Sequence, residues 1–358
     1  MQQIIKRPKW KTVEYSRSQI IKAGKTIKKD NIDEAEYNEA TQIIDNWRAS
    51  HAYPLHVVYM HLRRMTSGNN SIIVAQRLKR LSSILNKLKR EPNMSLWTMQ
   101  DLGGCRVIVP SVGEVYRCFE EYEKSRKRHM LVSSYDYIDN PKKSGYRSLH
   151  KVYRYHSDDN NSKYNQNMLI EIQFRTHLQH VWATAVETMG LFTKEDLKSG
   201  EGSRDTKRFF ALVSSLFAIR EKQNIVPDTS DDINVLISEI KELNAKHNYL
   251  EFLSGINVAV DAQERITRRE TDKRTAPSYY ILILNYNTRR LNIRRFSASQ
   301  IEMANEIYNS IERTRAETKI DAVLVKVSSF ETLKSAYPNY FSDISKFVNI
   351  VDYYINKY

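Results

Sequence analysis

The stretch Lys142-Lys-Ser-Gly-Tyr-Arg-Ser-Leu-His150, followed by Glu171-Ile-Gln-Phe-Arg-Thr-His-Leu-Gln-His-Val-Trp-Ala183, decides the fold expected for this chain. Residues 170–175 alternate apolar and polar side chains, which is the period of a strand with two unlike faces. The polar face carries a carboxylate, an amide and a guanidinium, from Glu171, Gln173 and Arg175. Such a face, beside a Gly-Tyr turn flanked by lysines, indicates a phosphate-binding site on a sheet.

The order of patterns along the chain predicts a mixed β-sheet flanked by helices, an α+β fold. Alternation and apolar runs predict strands at Cys105–Val109, Met130–Ile138, Leu149–Tyr155 and Met168–Phe174. Helical periodicity predicts helices at Asp33–Arg48, His51–Met65, Val112–Lys127 and His177–Met189.

Residues Ile72–Arg90 have the spacing of a further amphipathic helix. Its apolar stripe consists of Leu78, Leu81, Leu85 and Leu88. Lys79, Ser83 and Lys87 fall at i, i+4 and i+8 on the opposite face. Arg77 is expected in the first turn of this helix. The pattern therefore predicts three polar, anion-binding side chains along one helix face.

The chain after residue 226 is predicted to form a helical linker and a small C-terminal unit. Phe209–Lys222 and residues 233–253 have helical periodicity, and Pro227 followed by acidic and hydroxyl residues marks a boundary between them. We expect three regions, 1–226, 227–269 and 270–358. The last should contain paired strands, a helix that begins at a capping box, and a third strand: Tyr280–Tyr286, Leu291–Phe296, Ser299-x-x-Glu302 and Asp321–Val327.

Composition limits the class of protein. The 358 residues include 41% hydrophobic and 27% charged residues, so the chain can build ordinary cores, and its net charge of +14 favours a polyanionic partner. Solvated charge runs explain the same balance without a partner. Cys105 and Cys118 are too few for a zinc site or a disulfide framework. No signal sequence or membrane-spanning apolar run is apparent, so we expect a cytoplasmic protein with no membrane partner.

Two carboxylates are candidates for a metal site. Asp101 and Glu171 fall at the start and on the face of strands expected to be neighbours. Together they could hold one Mg²⁺, which prefers oxygen ligands and keeps water and substrate phosphates in its shell. The plainer alternative is that Asp101 caps a turn beside Gly103 and Gly104, and that Glu171 is an exposed strand residue.

Four ordered motifs give the chain a resemblance to the RelA/SpoT alarmone synthetases, which have a nucleotidyltransferase-like fold. They are Arg77-x-Lys79-x-x-x-Ser83-x-x-x-Lys87, Asp101-Leu-x-Gly-x-Arg106, Gly145-Tyr146-Arg-Ser-Leu-His150 and Glu171-x-Gln173-x-Arg175-Thr176. Those enzymes move the pyrophosphate of ATP onto a ribose 3′-hydroxyl.

The resemblance implies a role for each motif. Arg77 and Arg106 would sandwich adenine, and Lys79, Ser83 and Lys87 would hold the ATP phosphates. Asp101 and Glu171 would be the catalytic residues and would bind Mg²⁺. On the acceptor side, Tyr146 would stack on the base, and three residues would shape the pocket: His150, Gln173 and Arg175.

The helix predicted after the strand Met168–Phe174 departs from the pattern of the alarmone synthetases. It reads Trp182-Ala-Thr-Ala-Val-Glu187-Thr188, with glutamate one place late and threonine where histidine is expected. This string resembles the toxic small alarmone synthetase branch, some members of which pyrophosphorylate the tRNA 3′ CCA end. The resemblance implies a tRNA partner, which four basic residues could grip through phosphate contacts: Lys28, Lys29, Arg63 and Arg64.

The C-terminal sequence Tyr337-Pro-Asn-Tyr340 resembles the pseudo-zinc-finger antitoxin domain of fused CapRel-type toxin–antitoxin proteins. In that family a Tyr-x-x-Tyr motif covers the ATP site, and binding of the phage major capsid protein relieves the block. The resemblance therefore implies autoinhibition by Tyr337 and Tyr340. A turn at Pro338 packed by two tyrosines is the plainer explanation of the same residues.

We therefore expect a Mg²⁺-dependent ATP pyrophosphokinase that acts on tRNA 3′ ends and is restrained in cis by its C-terminal region. Two alternatives remain. The chain could be a (p)ppGpp synthetase that transfers pyrophosphate to GDP or GTP, or a non-catalytic nucleic-acid-binding protein on a synthetase fold.

Overall fold

A central eight-stranded sheet organises the computed structural model, which describes residues 10–125, 128–159, 161–193, 202–254, 278–285, 290–318, 320–327, 330–337 and 344–357. The strands are β1 Ile73–Leu78, β2 Gly103–Val109, β3 Met130–Asp136, β4 Leu149–Arg154, β5 Leu169–Thr176, β6 Ser278–Asn285, β7 Arg290–Phe296 and β8 Ile320–Val327. The helices are α1 Arg17–Thr26, α2 Glu34–Ser50, α3 Ala52–Met65, α4 Leu81–Arg90, α5 Val112–Lys124, α6 His177–Thr193, α7 Arg204–Glu221, α8 Ile233–His247, α9 Ile301–Thr318, α10 Phe330–Ala336 and α11 Ser345–Lys357.

The sheet is mixed, as the sequence predicts. Its strand order is β3-β4-β5-β2-β1-β8-β6-β7, and β2 and β5 run parallel whereas the other pairs are antiparallel. Ile170, Ile172 and Phe174 are fully buried in a core with α3 and α5. The opposite face, which we call the polar face, carries the alternate residues of β5. The predicted two-faced strand is confirmed.

The predicted helix over Ile72–Arg90 is wrong in its first half. Residues 73–78 form β1, and the helix α4 begins only at Leu81. Ile73 and Val74 are β-branched and favour a strand, and this segment pairs with β2 on one side and β8 on the other. The spacing of Leu78 and Leu81 matches a helix, but residues 73–78 are extended because they pair with both neighbouring strands.

The C-terminal strands continue the same sheet. Gln76 pairs with Lys326 and Arg77 with Val325, so β8 extends the sheet beyond β1. The helix α9 is preceded by a capping box formed by Ser297 and Gln300, not by the expected box at Ser299. The helices α10 and α11 were not foreseen, because their short apolar patterns are interrupted by polar residues.

Helical layers cover both faces of this sheet. The helices α6, α7, α8 and α11 share one apolar cluster, in which Trp182, Phe210 and Phe347 are buried. The helix α10 packs on β1 and β8, with Leu333 and Tyr337 in a second cluster. The C-terminal residues thus lie against the polar face beside the candidate site. None of the helices in the described ranges combines the length and apolar character needed to span a bilayer.

Candidate functional site

Strand register brings the residues of the four motifs onto the polar face. Gln173 of β5 lies between Arg106 of β2 and His150 of β4, and Glu171 lies beside Gly104. Residues paired in neighbouring strands project from the same face of a sheet. The absence of a side chain at Gly104 leaves space over the sheet between Glu171 and Arg77, which also pairs with Gly104.

Asp101 is held by two lysines from different elements. The Nζ atom of Lys79, just after β1, lies 2.8 Å from one carboxylate oxygen, and Nζ of Lys87 in α4 lies 3.2 Å from the other. Burial by itself opposes ionisation, but the two ammonium groups outweigh it and hold the pKa of Asp101 well below its usual value. The two lysines therefore meet as expected, although only Lys87 lies on a helix. Ser83 lies half-buried in the first turn of α4.

A second network surrounds Glu171. Its carboxylate lies 2.8 Å from Nδ1 of His150 and accepts a hydrogen bond of 2.7 Å from the amide of Gln173. Burial opposes ionisation of Glu171, but His150 and Gln173 favour it, and the net pKa is lowered; the nearby charge of Asp101 works in the opposite direction. Both carboxylates are therefore ionised at neutral pH.

Tyr146 connects this network to the Gly-Tyr turn. Its hydroxyl lies 2.7 Å from Nε2 of His150 and accepts a hydrogen bond from Arg175, which also donates to Gln173 at 2.8 Å. Gly145 has φ of +91°, and a Cβ atom there would lie 2.8 Å from the ring of Trp182. Only glycine fits this position, so the turn that presents Tyr146 is fixed by the sequence.

The donor set suits a hard divalent cation. Asp101 and Glu171 offer carboxylate oxygens within mutual electrostatic influence, and such oxygens are what Mg²⁺ prefers. Within the residues described, no group of three His, Cys, Asp or Glu side chains could enclose a metal ion. A cation held here would therefore complete its shell with water and substrate phosphates, as Mg²⁺ usually does.

Three arginines, Arg77, Arg106 and Arg175, lie close enough together to influence one another electrostatically. Burial lowers the pKa of the Arg106 guanidinium to about 10, and the charges of Arg175 and Arg77 act in the same direction. Arg106 donates a hydrogen bond of 2.9 Å to the carbonyl of Ala336, and its guanidinium lies 5.8 Å from the ring centroid of Tyr337. The last residue of the helix α10 is therefore in direct contact with Arg106.

Two further contacts fix this helix end. His180 Nε2 donates to the carbonyl of Ser335 at 2.9 Å, and the hydroxyl of Tyr337 donates to the carbonyl of Gln76 at 3.1 Å. Tyr337 is buried, with 3% of its surface exposed, and burial raises its pKa to about 12. Tyr340 lies outside the described residues. Sequence reasoning missed His180, whose only signal was its place one turn into the helix after the site strand.

The four basic residues expected to grip tRNA have different surroundings. Lys28 donates to the carbonyls of Pro92, at 2.7 Å, and Met94. Lys29 pairs with Glu36 on the surface. Arg63 lies over the ring of Tyr59, and Arg64 is exposed.

Comparison with known proteins locates the site within one family region. Residues 76–195 match the family described as "Region found in RelA / SpoT proteins". This part of the chain is RelA/SpoT-like. It includes the motif residues from Arg77 to Arg175, whereas Tyr337 lies outside it.

Two curated relatives from Bacillus subtilis (strain 168) match the same part of the chain. GTP pyrophosphokinase YjbM is 36% identical over 113 residues, which is 31% of this chain and 52% of the relative. GTP pyrophosphokinase YwaC is 31% identical over 124 residues, 33% of this chain and 57% of the relative. The chain therefore spans only about half the length of the curated relatives it matches.

Two solved structures align with about half of the chain. Small alarmone synthetase 1 from Bacillus subtilis, bound to its product pppGpp, has a TM-score of 0.42 and 25% identity, and the match covers 50% of this chain and 92% of that one. A GTP pyrophosphokinase family protein from Streptococcus pneumoniae has a TM-score of 0.41 and 25% identity, over 48% of this chain and 86% of that one.

Proposed function

We propose that this chain is a Mg²⁺-dependent pyrophosphokinase that transfers the pyrophosphate of ATP to the 3′-hydroxyl of the tRNA CCA end, and that the described conformation is its inhibited state. The observation that carries the transfer activity is the polar face itself. It holds two ionised carboxylates, Asp101 and Glu171, between a lysine pair and an arginine cluster. The named activity of the two curated relatives supports the same reaction class.

The donor side is suited to a nucleoside triphosphate. Lys79 and Lys87 neutralise Asp101 in the described conformation and could neutralise phosphates when ATP binds. Phosphoryl transfer needs positioning and neutralisation of charge more than covalent chemistry by the protein. Bound Mg²⁺ would supply charge neutralisation at the phosphates, and Asp101 and Glu171 would hold it. The planar guanidinium groups of Arg77 and Arg106 suit stacking on adenine.

The acceptor side would orient the ribose hydroxyl. Tyr146 offers an aromatic ring on a rigid turn, and Arg175 and His150 fix its hydroxyl from two sides. Gln173 links Arg175 to Glu171, so the acceptor network is continuous with the proposed metal ligands. Positioning of this kind would accelerate transfer, because the acceptor hydroxyl and the ATP phosphates would be bound in a geometry close to that of the reaction.

The first support for an inhibited state is the contact between Tyr337 and Arg106. The ring of Tyr337 and the carbonyl of Ala336 contact the guanidinium on which adenine is proposed to stack, so they would compete with a purine for Arg106. This contact supports the autoinhibitory role expected for Tyr337. Tyr340, expected to act with it, remains part of the proposal.

The helix α9 adds a second set of contacts on the donor side. Asn309 donates to Asp45 at 2.7 Å, and the guanidinium of Arg48 lies 4.6 Å from the ring centroid of Tyr308. The carboxylate of Glu312, 8% exposed, accepts from the backbone N–H of Ser82 at 3.4 Å, in the first turn of α4. An anion at this helix end competes with phosphate for the same orphan N–H groups.

Release from inhibition requires a trigger that binds the open state more tightly than the closed one. The resemblance to fused toxin–antitoxin proteins suggests a phage major capsid protein for this part. A chain that blocks translation would need such restraint in cis, and the pseudo-zinc-finger assignment of residues 270–358 belongs to the same proposal.

The acceptor has a second candidate, a guanine nucleotide. The relatives' name, GTP pyrophosphokinase, favours it. The altered helix after Trp182 and the net charge of +14 favour tRNA instead. The two acceptors differ in product, so one assay separates them.

The test uses the full chain with Tyr337→Ala, beside wild type and the Tyr337→Ala, Asp101→Asn double variant. Each is incubated with ATP labelled on its terminal phosphates, Mg²⁺ and bulk tRNA, or with GDP and GTP. Label on tRNA that disappears when the terminal adenosine is removed would support the proposal. Label on guanine nucleotide alone would replace tRNA as the acceptor. No transfer to any acceptor by a Tyr337→Ala chain that does arrest growth on induction would refute the pyrophosphokinase assignment.

A further inference from the structure

Tyr135 in the edge strand β3 and Tyr137, one residue past the end of β3, continue the acceptor side outward. Tyr135 pairs with His150 in register, so it lies on the polar face, and Tyr137 follows two residues later. Their rings are parallel within 2°, with centroids 5.9 Å apart. The ring of Tyr137 in turn meets that of Tyr146 edge to face at 6.0 Å. We call Tyr135, Tyr137 and Tyr146 the aromatic row.

The aromatic row leads from a partly enclosed position to solvent. Tyr146 is hydrogen-bonded into the acceptor network, whereas Tyr135 is 39% exposed at the sheet edge. An exposed tyrosine beside a second parallel ring is not required by the core, because the buried residues of this region lie on the opposite face. The outer ring therefore has a free aromatic surface that folding does not explain.

Positive charge accompanies the row. The Nζ atom of Lys142 lies 4.5 Å from the ring centroid of Tyr137 and 5.6 Å from that of Tyr146. The guanidinium of Arg175 lies over the ring of Tyr146, 5.1 Å from its centroid. Proteins that bind single-stranded nucleic acid combine aromatic rings for successive bases with cations for the backbone between them.

From this arrangement we propose that Tyr135 and Tyr137 form a stacking surface for the unpaired bases that precede the reacting nucleotide of a single-stranded RNA 3′ end. The inference rests on the proposed function and deepens it, because a mononucleotide acceptor has no preceding bases. Tyr146 receives the terminal base, and the two outer rings receive the next ones. Tyr135 and Tyr137 are then specificity residues that favour an RNA end over a free nucleotide.

The size of the expected effect follows from base stacking. Removal of one aromatic ring that stacks on a base weakens binding of single strands by about tenfold. A substitution that keeps the ring, such as tyrosine to phenylalanine, keeps the affinity. Tyr135→Phe should therefore bind as wild type does, and Tyr135→Ala should not. The matched control is Tyr37→Ala, because Tyr37 is equally exposed, at 38%, but lies on α2.

The experiment measures binding of two fluorescent RNA hairpins to the full chain by anisotropy. One hairpin carries a four-nucleotide single-stranded 3′ extension, and the other is blunt. We expect Tyr135→Ala to weaken binding of the extended hairpin about tenfold, to leave the blunt hairpin unchanged, and to differ from both Tyr135→Phe and Tyr37→Ala.

Three results would overturn the inference: equal binding of both hairpins by wild type, equal losses for both hairpins in Tyr135→Ala, or no loss at all. A change of molar mass in light scattering, with RNA affinity unchanged, would instead identify the edge strand as a contact between copies of the chain. The readout is binding, so it stands apart from the transfer assay. If Tyr135 contributes to binding of the 3′ extension but the chain transfers no label, the proposed function is refuted. The inference that the aromatic row binds single-stranded RNA then still stands.

Discussion

The guanidinium of Arg106 lies 5.8 Å from the ring centroid of Tyr337, although 230 residues separate Arg106 from the neighbouring Ala336, whose carbonyl accepts its hydrogen bond at 2.9 Å. Arg106 belongs to the RelA/SpoT-like region and Tyr337 to the C-terminal residues beyond it. Under the proposed function, a nucleotide and the residues at the end of the helix α10 would compete for this one buried cation. This competition makes the first prediction.

Tyr337→Ala in the full chain should increase pyrophosphate transfer strongly. Removal of a buried aromatic side chain costs about 3 kcal/mol, and here the cost falls on the closed state, so the open population should rise on the order of 100-fold. Induction of this variant in cells should arrest growth, whereas wild type should not. Tyr353→Ala, at an exposed tyrosine of α11, is the control. A Tyr337→Ala chain that melts as wild type does but stays inactive and harmless would contradict autoinhibition at this residue.

The contact between Asn309 and Asp45 should act as a second, weaker restraint. Asn309→Ala removes one hydrogen bond, worth about 1 kcal/mol, and should raise transfer roughly fivefold. Asn309→Asp places a second carboxylate against Asp45 and should raise transfer more. Labelled transfer by the two variants checks this order. If neither variant transfers faster than wild type, the contact between Asn309 and Asp45 does not contribute to closure.

Asp101→Asn should separate binding of ATP from its reaction. The variant loses a proposed metal ligand, so transfer in the Tyr337→Ala background should fall by at least about 100-fold. Lys79 and Lys87 lose the carboxylate that occupies them, so affinity for ATP measured without Mg²⁺ should be kept or increased. Calorimetric titration and the transfer assay measure the two effects. Loss of both in parallel would show that Asp101 supports the fold of the site instead of its chemistry.

The alternation of residues 170–175 predicted the strand and its polar face from the sequence, because a period of two depends only on backbone geometry. Residues 73–78 were misjudged, since pairing with β2 and β8 is a tertiary effect that outweighs helical spacing. Lys79 and Lys87 were nevertheless grouped correctly. They converge on Asp101 from the end of a strand and from a helix, and their shared chemistry, not the assumed helix face, was the informative signal.

The contacts between distant residues could not be predicted from one sequence. Nothing near Ser335 indicates that its carbonyl accepts a hydrogen bond from His180, because that contact depends on how β8 joins β1. The same holds for Glu312 and Ser82. The pair of parallel rings at Tyr135 and Tyr137 was open to a local argument, because residues two apart in extended chain share a face and Tyr137, just past β3, still pairs with Ser148.

Tyr146 should tolerate loss of its hydroxyl better than loss of its ring. Tyr146→Ala removes the stacking surface for the acceptor and should abolish transfer and toxicity in the Tyr337→Ala background. Tyr146→Phe keeps the ring but releases Arg175 and His150, so we expect an intermediate loss of about tenfold. Rates at saturating and limiting acceptor distinguish the two variants. A fully active Tyr146→Ala chain would remove Tyr146 from the acceptor site.

Lys326 should make stability depend on pH in the alkaline range. This strand lysine is 5% exposed, and burial lowers its pKa to about 8. The groups that face it are His56, 3.1 Å away, the rings of Tyr59 and Tyr279, and the charge of Arg63. Because the unfolded chain binds more protons than the folded one between about pH 8 and the usual lysine pKa near 10.5, folding stability should rise with pH across this window.

Lys326→Met isolates this contribution, because the other titrating groups are common to both proteins. At pH 7 the variant should be more stable than wild type by about 1–3 kcal/mol, since a buried ammonium group that pairs with no carboxylate of the described residues is replaced by an apolar side chain of similar length. The difference should shrink as the pH approaches 10. Denaturant unfolding of both proteins at pH 7, 8.5 and 10 measures it. A difference that stays constant over this range would mean that the lysine titrates at its ordinary pKa and that its burial is not maintained in solution.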